Sequence, residues 1–385
     1  MSYASILASA EPVLSQSLSR PVRLGEVNCL SDDERRNLLL RVHDLDGERP
    51  ASFIIKKVVA DSYNPADLTS WDTSRFLSDW AGAEFLSKVL SNPRSARFYG
   101  GDHAEGFFIL EDRGEHRSLV EPLLEQDAAS AEKALLGLWI SLGAMHAETI
   151  GRSAAFQEIV SRLNPQASTS APALTVADGL PQLHDQLEKL GAGVDAACLS
   201  EIEAVIDAVG NPGPFLSYVH GDPCPDNVFW DGRELRLIDF EFGGLGHALT
   251  DAAYARMLFP SCWCANRVPR DVVSRMEVAY RTELINGCPA AQDDAIFGGA
   301  LTDVCGFWLV SSLSRSLAKA IEADRTWGIA TIRQRVVARL EAFVATAEEF
   351  DRRPALRRVA TRLLDALHAA WPELAPLPFY PAFKE

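Results

Sequence analysis

The sequence predicts an α+β fold of two lobes, a smaller one built on an antiparallel sheet and a larger one that is mainly helical. The chain has 385 residues, enough for two such lobes. Short apolar runs separated by polar turns occupy the first part of the chain. Longer segments with helical periodicity follow from about residue 120. We place the lobes at residues 1–113 and 114–385.

The first 60 residues are expected to form strands joined by loops, at 20–27, 37–43 and 51–59. The run ASFIIKKVV at 51–59 is the clearest strand, because β-branched residues dominate it. A helix is expected at 75–90, with Phe76, Trp80 and Ala83 near one face, and a further strand at 106–110.

The second lobe is expected to contain helices at 129–150, 178–191 and 196–209, and more helices after residue 270. Two short strands, 215–219 and 235–240, flank a turn at Asp231 and Gly232. The apolar stretch 295–313 approaches the length of a membrane span, but it carries Thr302, Asp303 and three glycines. A buried helix is therefore favoured over a span.

The charge balance limits the class of partner. The chain has 37 Lys and Arg against 53 Asp and Glu, a net charge of −16, which argues against a nucleic-acid surface. An acidic chain is compatible with a cationic small-molecule acceptor, although many proteins are this acidic. The N-terminus lacks a basic region ahead of its apolar residues, so we expect no signal peptide and a cytoplasmic protein without a membrane partner. The oligomeric state stays open.

The seven cysteines are scattered along the chain, and Cys262 and Cys264 form the only close pair. No second pair or histidine cluster completes a zinc site. We therefore expect buried or reduced thiols.

Residues 218–239, YVHGDPCPDNVFWDGRELRLID, carry the most informative pattern. Asp222 follows an apolar run, Asn227 comes five residues later, and Asp239 closes a second apolar run. A carboxylate beside an alcohol can orient it and take its proton, and magnesium prefers oxygen ligands. The set favours phosphoryl transfer from a nucleoside triphosphate. A plain hairpin with turn-forming Asp and Asn is the alternative.

The segments HGDPCPDN and LRLIDFE resemble the catalytic and metal motifs of the aminoglycoside phosphotransferase and choline kinase superfamily. The resemblance covers about residues 20–255 and implies the two-lobed, protein-kinase-like fold. It also implies that Asp222 is the catalytic base and that Asn227 and Asp239 bind Mg²⁺. His220 is implied to be structural.

Other residues are implied by the same resemblance. A lysine on the third strand should hold the nucleotide phosphates, and Lys56 is preferred over Lys57, which faces the opposite side. Glu84, on the following helix, is the expected partner of Lys56. The backbone near Glu111 and Asp112 should hydrogen-bond the edge of adenine or guanine.

Two further positions are matched to the family. His146, in LGAMHA, resembles a histidine packed within the large lobe, so we expect it to be part of the core. Asp251, in LTDAAY, resembles an aspartate that braces the catalytic segment, and a helix N-terminal carboxylate is the alternative.

The chain departs from the family at residues 28–37, NCLSDDERRN, where a glycine-rich phosphate loop is expected. Asp32, Asp33 and Glu34 would repel phosphates there, unless they point to solvent and Arg35, Arg36 or Asn37 makes the contacts. The protein-kinase patterns Asp-Phe-Gly and Ala-Pro-Glu are absent, which disfavours protein substrates.

Acceptor binding is expected from aromatic and acidic side chains after the metal motif. The candidates are Glu241, Trp263, Tyr280, Asp303, Phe307 and Trp308. Their rings and carboxylates suit a cationic acceptor, although aromatic residues at helical spacing commonly belong to the core. Asp303, alone in an apolar helix, needs a partner or a ligand.

The expected reaction moves the γ-phosphoryl group of ATP or GTP, with Mg²⁺, to a hydroxyl of a small molecule. The acceptor class includes aminoglycosides, choline-like amino alcohols and sugars. The alternative is a catalytically silent nucleotide-binding scaffold on the same fold.

Overall fold

The computed structural model describes residues 3–31, 36–47, 49–59, 63–92, 94–115, 117–172, 180–230 and 234–384. The chain divides into two compact units. The first comprises Met1–His116, Arg152–Ser170 and Arg236–Gly244, and the second comprises Arg117–Gly151, Ala171–Leu235 and Leu245–Glu385. The main segment of the first unit thus ends near the predicted boundary at residue 113. This unit also includes two later segments, and the second of them contains Asp239.

The first unit is built on a five-stranded antiparallel sheet with strand order β1-β2-β3-β5-β4. The strands are β1 Leu24–Cys29, β2 Asn37–Asp44, β3 Ser52–Val58, β4 Phe98–Asp102 and β5 Phe107–Glu111. Its helices are α1 Tyr3–Leu18, α2 Trp71–Val89 and α5 Ser153–Leu163. Alternate residues such as Leu40, Phe53 and Ile55 are fully buried and form the core of this unit together with residues from α1.

Helix α1 was not predicted, because only strands and loops were expected over the first 60 residues. Its buried positions, Ile6, Ala10 and Leu14, recur every four residues and pack into the sheet's core. Pro12 lies inside the helix, which weakens the sequence signal. Strand β4 was also missed, since the two glycines of FYGGD disfavour a strand.

Helix α2 begins at Trp71, four residues before the predicted start. The hydroxyl of Ser70 caps it by accepting the backbone N–H of Thr73 at 3.4 Å. Its buried face contains the predicted aromatic residues and also two acids, Asp79 and Glu84. Buried carboxylates require partners, which makes this helix important for the site.

The second unit is mainly helical. Its helices are α3 Val120–Leu124, α4 Ala128–Thr149, α6 Leu180–Lys189, α7 Ala196–Gly210, α8 Leu249–Ala252, α9 Arg270–Leu284, α10 Asp294–Glu322, α11 Ile332–Glu349 and α12 Pro354–Ala370. The remaining short strands are β6 Arg117–Ser118, β7 Leu216–Val219, β8 Val228–Trp230, β9 Leu235–Leu237, β10 Gly244–His247, β11 Thr326–Trp327 and β12 Ala330–Thr331. A small antiparallel sheet followed by a mainly helical remainder confirms the predicted fold class. The predicted turn at Asp231 and Gly232 lies outside the described residues.

Helix α10 is the one described helix that is long and apolar enough to cross a membrane. Of its most apolar window, 78% is buried inside the protein. Leu301, Phe307 and Leu313 are among its buried residues, which matches the predicted core helix.

Candidate active site

Lys56, on β3, is enclosed by two carboxylates of the first unit. Its Nζ lies 2.6 Å from Asp79 Oδ2 and 2.6 Å from Asp239 Oδ1. Burial alone would lower the pKa of Lys56, but the two carboxylates outweigh burial and raise it, so the ammonium group stays charged. Lys57 points to the other face of the sheet and donates to Glu105 O. Lys56 is therefore the lysine that lies beside Asp239, and its contact with nucleotide phosphates stays a prediction.

Asp239 follows β9 in a left-handed backbone conformation, with φ 64°, that residues other than glycine rarely adopt. The next residue is held by Asp79, whose Oδ1 accepts the backbone N–H of Phe240 at 2.8 Å. Burial raises the pKa of Asp79 and Asp239 raises it further, against the lowering effect of Lys56. The Asp239 side chain is 31% exposed, compared with 6% for Asp79. Asp239 is therefore the carboxylate of this cluster that can reach a cation in solvent.

The predicted pair of Lys56 and Glu84 is wrong. The buried Glu84 carboxylate accepts from Trp80 Nε1 at 2.9 Å and from Lys88 Nζ and an Arg162 nitrogen at 2.6 Å each. These donors satisfy Glu84, and Asp79 takes the place beside Lys56 instead. Asp79 was missed, although its signal was visible. It lies three residues after Phe76 and four before Ala83, on the apolar face of α2, where a carboxylate needs a cation.

Asp222 lies on the loop after β7 in the second unit, and its carboxylate receives several donors. Ser261 Oγ donates to Oδ1, and the Tyr254 hydroxyl lies 3.3 Å from the same oxygen. Asn227 Nδ2 donates to Oδ2 at 3.2 Å and to the Asp222 main-chain oxygen at 3.0 Å. Because the amide nitrogen of Asn227 faces Asp222, its amide oxygen is directed away from that carboxylate. Asp222 and Asn227 thus lie together on this loop, and the ligand role of Asn227 stays a prediction.

The loop is braced by Asp251, on α8. Its carboxylate accepts the backbone N–H groups of His220 at 2.7 Å and Gly221 at 3.1 Å. It also lies 3.1 Å from His146 Nε2, and His146 Nδ1 lies 2.8 Å from the Tyr280 hydroxyl. Gly221 has φ 76°, which a residue with a side chain adopts only with strain. The bracing role predicted for Asp251 and the core position predicted for His146 are confirmed.

A disulfide between Cys224 and Cys262 joins the loop to the segment that carries Ser261, across a sequence separation of 38. The expectation of reduced thiols is therefore wrong for this pair, because the sequence spacing gave no sign of such a distant partner. Cys224 Sγ lies 3.0 Å from Asp222 Oδ1, and since both sulfurs are bonded, this group is not a metal site. Disulfides are rare in a reducing cytoplasm. The cytoplasmic localisation expected from the sequence therefore stays a prediction.

Two of the acceptor-binding candidates are paired with arginines. Glu241 is held by Arg36 at 2.6 Å and by Arg75, and Asp303 is paired with Arg353 at 2.6 Å. These ion pairs argue against acceptor binding by either carboxylate, and that role stays a prediction.

The aromatic candidates differ from one another. Trp308 is buried, and its Nε1 donates to Thr250 O at 3.0 Å, so it belongs to the core, which argues against its predicted role. Tyr280 and Phe307 are buried as well. Trp263 is 39% exposed and donates to Asp226 Oδ2 at 2.8 Å, beside the Asp222 loop. It stays a candidate.

The predicted nucleotide-edge positions have partners within the first unit. The backbone N–H of Glu111 donates to Arg97 O at 2.8 Å, so this donor is not available to a base. The Asp112 carboxylate lies 2.9 Å from Arg41 Nε. Burial alone would raise the pKa of Asp112, but its hydrogen bonds and the charge of Arg41 outweigh burial and lower that pKa. A contact between this backbone and a base stays a prediction.

The acidic loop residues Asp32, Asp33 and Glu34 lie outside the described residues, as does Arg35. Arg36, a candidate for phosphate contact, lies 3.5 Å from Asp72 in addition to its pairing with Glu241. Ser261 and Tyr254 were missed as neighbours of Asp222. They lie 39 and 32 positions from it in the sequence, and no local pattern marks either one.

Part of this chain is similar to a known protein family. The model of the phosphotransferase enzyme family matches residues 88–276, just under half of the chain. No curated protein matches the sequence.

Solved structures with similar folds include choline kinase from Cryptosporidium parvum, with 13% identity, a TM-score of 0.48, and coverage of 89% of this chain and 93% of that one. A choline/ethanolamine kinase family protein from Mesorhizobium loti has 14% identity, a TM-score of 0.42, and coverage of 89% and 93%. A thermostable mutant of aminoglycoside phosphotransferase APH(4)-Ia, in complex with ADP and hygromycin B, has 12% identity, a TM-score of 0.41, and coverage of 88% and 98%.

All three TM-scores lie below 0.5, so the assignment rests on the matched segment and on the residues described above. That segment contains Asp222, Asn227 and Asp239, the residues on which the sequence resemblance was based. Residues 88–276 of this chain are therefore similar to the phosphotransferase enzyme family.

Proposed function

We propose that this protein transfers the γ-phosphoryl group of ATP or GTP to a hydroxyl group of a small molecule. The observation that carries the proposal is the set of hydrogen bonds around the Asp222 carboxylate and its loop. It lies on a loop braced by the buried carboxylate of Asp251, and its Oδ1 already accepts hydroxyl donors from Ser261 and Tyr254. A carboxylate held in this way can accept a hydrogen bond from an acceptor hydroxyl and take its proton during transfer.

The other residues supply charge and position. Lys56 carries a fixed positive charge between two carboxylates, which suits contact with nucleotide phosphates. Asn227 and Asp239 have the oxygen donors that Mg²⁺ prefers, and we propose that each supplies one ligand. When bound, the ion would neutralise charge on the phosphates. Asp79 keeps Lys56 and the backbone at Phe240 in place, the role first given to Glu84.

The rival function is a silent nucleotide-binding scaffold. An acceptor screen measured by coupled ADP release, with hydroxyl compounds of each charge class, separates the two functions. We expect ADP release that requires both Mg²⁺ and one class of acceptor. A thermal shift with ATP that ignores Mg²⁺, together with no acceptor-dependent ADP release, would establish the scaffold instead.

A further inference from the structure

Two buried arginines hold the segment that places Ser261 against Asp222. Arg335 and Arg339, on α11, are each 3% exposed. Arg335 donates to Cys262 O at 2.6 Å and to Trp263 O at 2.7 Å. Arg339 donates to Pro260 O at 3.0 Å. The two side chains lie four residues apart on one helix face and so fix the backbone on both sides of Ser261.

These two guanidinium groups have no carboxylate partner among the described residues. Burial lowers the pKa of Arg339 to about 9 and that of Arg335 to about 10, as expected for cations without a counter-ion. The titratable groups that would raise these pKa values are Tyr254, Tyr380 and Cys264. Burial raises the pKa of each of them, so all three are neutral at pH 7. Neither arginine is therefore paired directly with an anionic group; both donate to main-chain carbonyl groups.

A third arginine, Arg315 on α10, has an exposed side chain, although the surrounding protein partly desolvates its charge and so lowers its pKa. It makes no hydrogen bond or ion pair in the part of the chain that the structure describes, and its charge is near enough to Arg339 to help lower the pKa of that residue, after burial and the charge of Arg335. It lies seven residues after Trp308, so the two share a helix face, and the Trp308 ring packs against Tyr254 at 5.3 Å. Between them lies Ser312, whose buried hydroxyl has no hydrogen-bond partner among the described residues.

Tyr254 connects this group to the reaction centre, since its hydroxyl lies 3.3 Å from Asp222 Oδ1. We propose that Arg315, supported by the field of Arg335 and Arg339, binds a negatively charged group of the acceptor, a carboxylate or a phosphate ester, while the acceptor hydroxyl contacts Asp222. This inference rests on the proposed function and specifies its substrate class. The net charge of −16 suggested a cationic acceptor, but the recognition of an acceptor depends on nearby groups, and Arg315 is an arginine near Tyr254 without an ion pair among the described residues.

Binding of malonate, a small dicarboxylate, tests the anion site without any turnover. Isothermal titration on the full chain should detect malonate binding to the wild type. Arg315→Gln should weaken it at least tenfold, and Arg315→Lys should weaken it less, since a charge remains. Arg325→Gln is the matched control, because Arg325 is exposed near the end of the same helix but is paired with Glu322. Absence of malonate binding to the wild type, or equal binding by Arg315→Gln, would overturn the proposal.

Turnover then distinguishes the sources of the anion. The acceptor panel contains gluconate, its neutral amide gluconamide, glycerol 3-phosphate and choline. Gluconate or glycerol 3-phosphate should have the lowest KM, and Arg315→Gln should raise that KM at least tenfold while the nucleotide KM is unchanged. Faster turnover of gluconamide or choline would contradict an anion site. If Asp222→Asn and the wild type release ADP equally, the proposed function itself fails, whereas malonate binding still reports on Arg315.

Discussion

Asp79→Asn tests how α2 supports Lys56, the lysine proposed to contact the nucleotide phosphates. The two carboxylate oxygens of Asp79 have different donors, the backbone N–H of Phe240 at 2.8 Å and Lys56 Nζ at 2.6 Å. An asparagine presents an oxygen to one of them and an amide N–H₂ group to the other, so one hydrogen bond must be lost. A hydrogen bond to a charged group contributes roughly 1.5–3 kcal/mol.

The substitution should weaken nucleotide binding and lower stability only modestly. Loss of one partner leaves Lys56 held by Asp239 alone, and a change of about 1.4 kcal/mol in phosphate binding corresponds to a tenfold rise in the nucleotide KM. The free energy of unfolding should fall by less than about 2 kcal/mol, because the substitution also removes a buried charge whose pKa is raised by burial. Coupled ADP release gives the KM, and urea unfolding gives the stability.

Glu84→Gln is the matched control on the same helix. It weakens contacts with Lys88 and Arg162, so it should lower stability by about 1–3 kcal/mol and leave the nucleotide KM within about twofold. If Glu84→Gln raises the nucleotide KM tenfold and Asp79→Asn does not, the structural assignment is refuted and the pairing predicted from sequence is restored.

Three further predictions concern the second unit. Reducing the Cys224–Cys262 bond should lower the free energy of unfolding by up to about 4 kcal/mol, from the loop of 38 residues that it closes; equal urea unfolding with and without dithiothreitol would contradict this. Burial lowers the pKa of His247 from 6.5 to about 3, so stability should fall as the pH drops below 6.5, by about 2 kcal/mol between pH 7 and 5. Urea unfolding of His247→Asn should lack this component, and an unchanged pH dependence would argue against it. Asp251→Asn should lower stability by about 2–4 kcal/mol and kcat by at least tenfold with an unchanged nucleotide KM, because an amide cannot accept all the N–H groups that the carboxylate binds; wild-type kcat would exclude the bracing role.

The local sequence predicted those elements and residues whose formation or interactions depend on one short segment of the chain. The strand with Lys56 was predictable from β-branched residues, and Asp222 with Asn227 from their spacing on one loop. The alternation of side chains on a strand was enough to separate Lys56 from Lys57.

Partners that are distant in sequence were not predictable in the same way. Choosing Asp79 over Glu84 requires the direction in which each side chain leaves α2, and both are buried acids on one helix. The Cys224–Cys262 bond and the contact of Ser261 with Asp222 depend on how the chain returns after β10. No local pattern encodes that path, since tertiary packing determines it.

The proposal that Asp222 is the catalytic base is tested most directly by the turnover of Asp222→Asn. With the best acceptor of the panel, kcat should fall at least a hundredfold, the range expected when a general base is removed, while the nucleotide still binds. Asp226→Asn is the control on the same loop, because the Asp226 carboxylate contacts Trp263 and not Asp222, and its kcat should stay within about fivefold of wild type. A kcat of Asp222→Asn within threefold of wild type would contradict a catalytic role for this carboxylate.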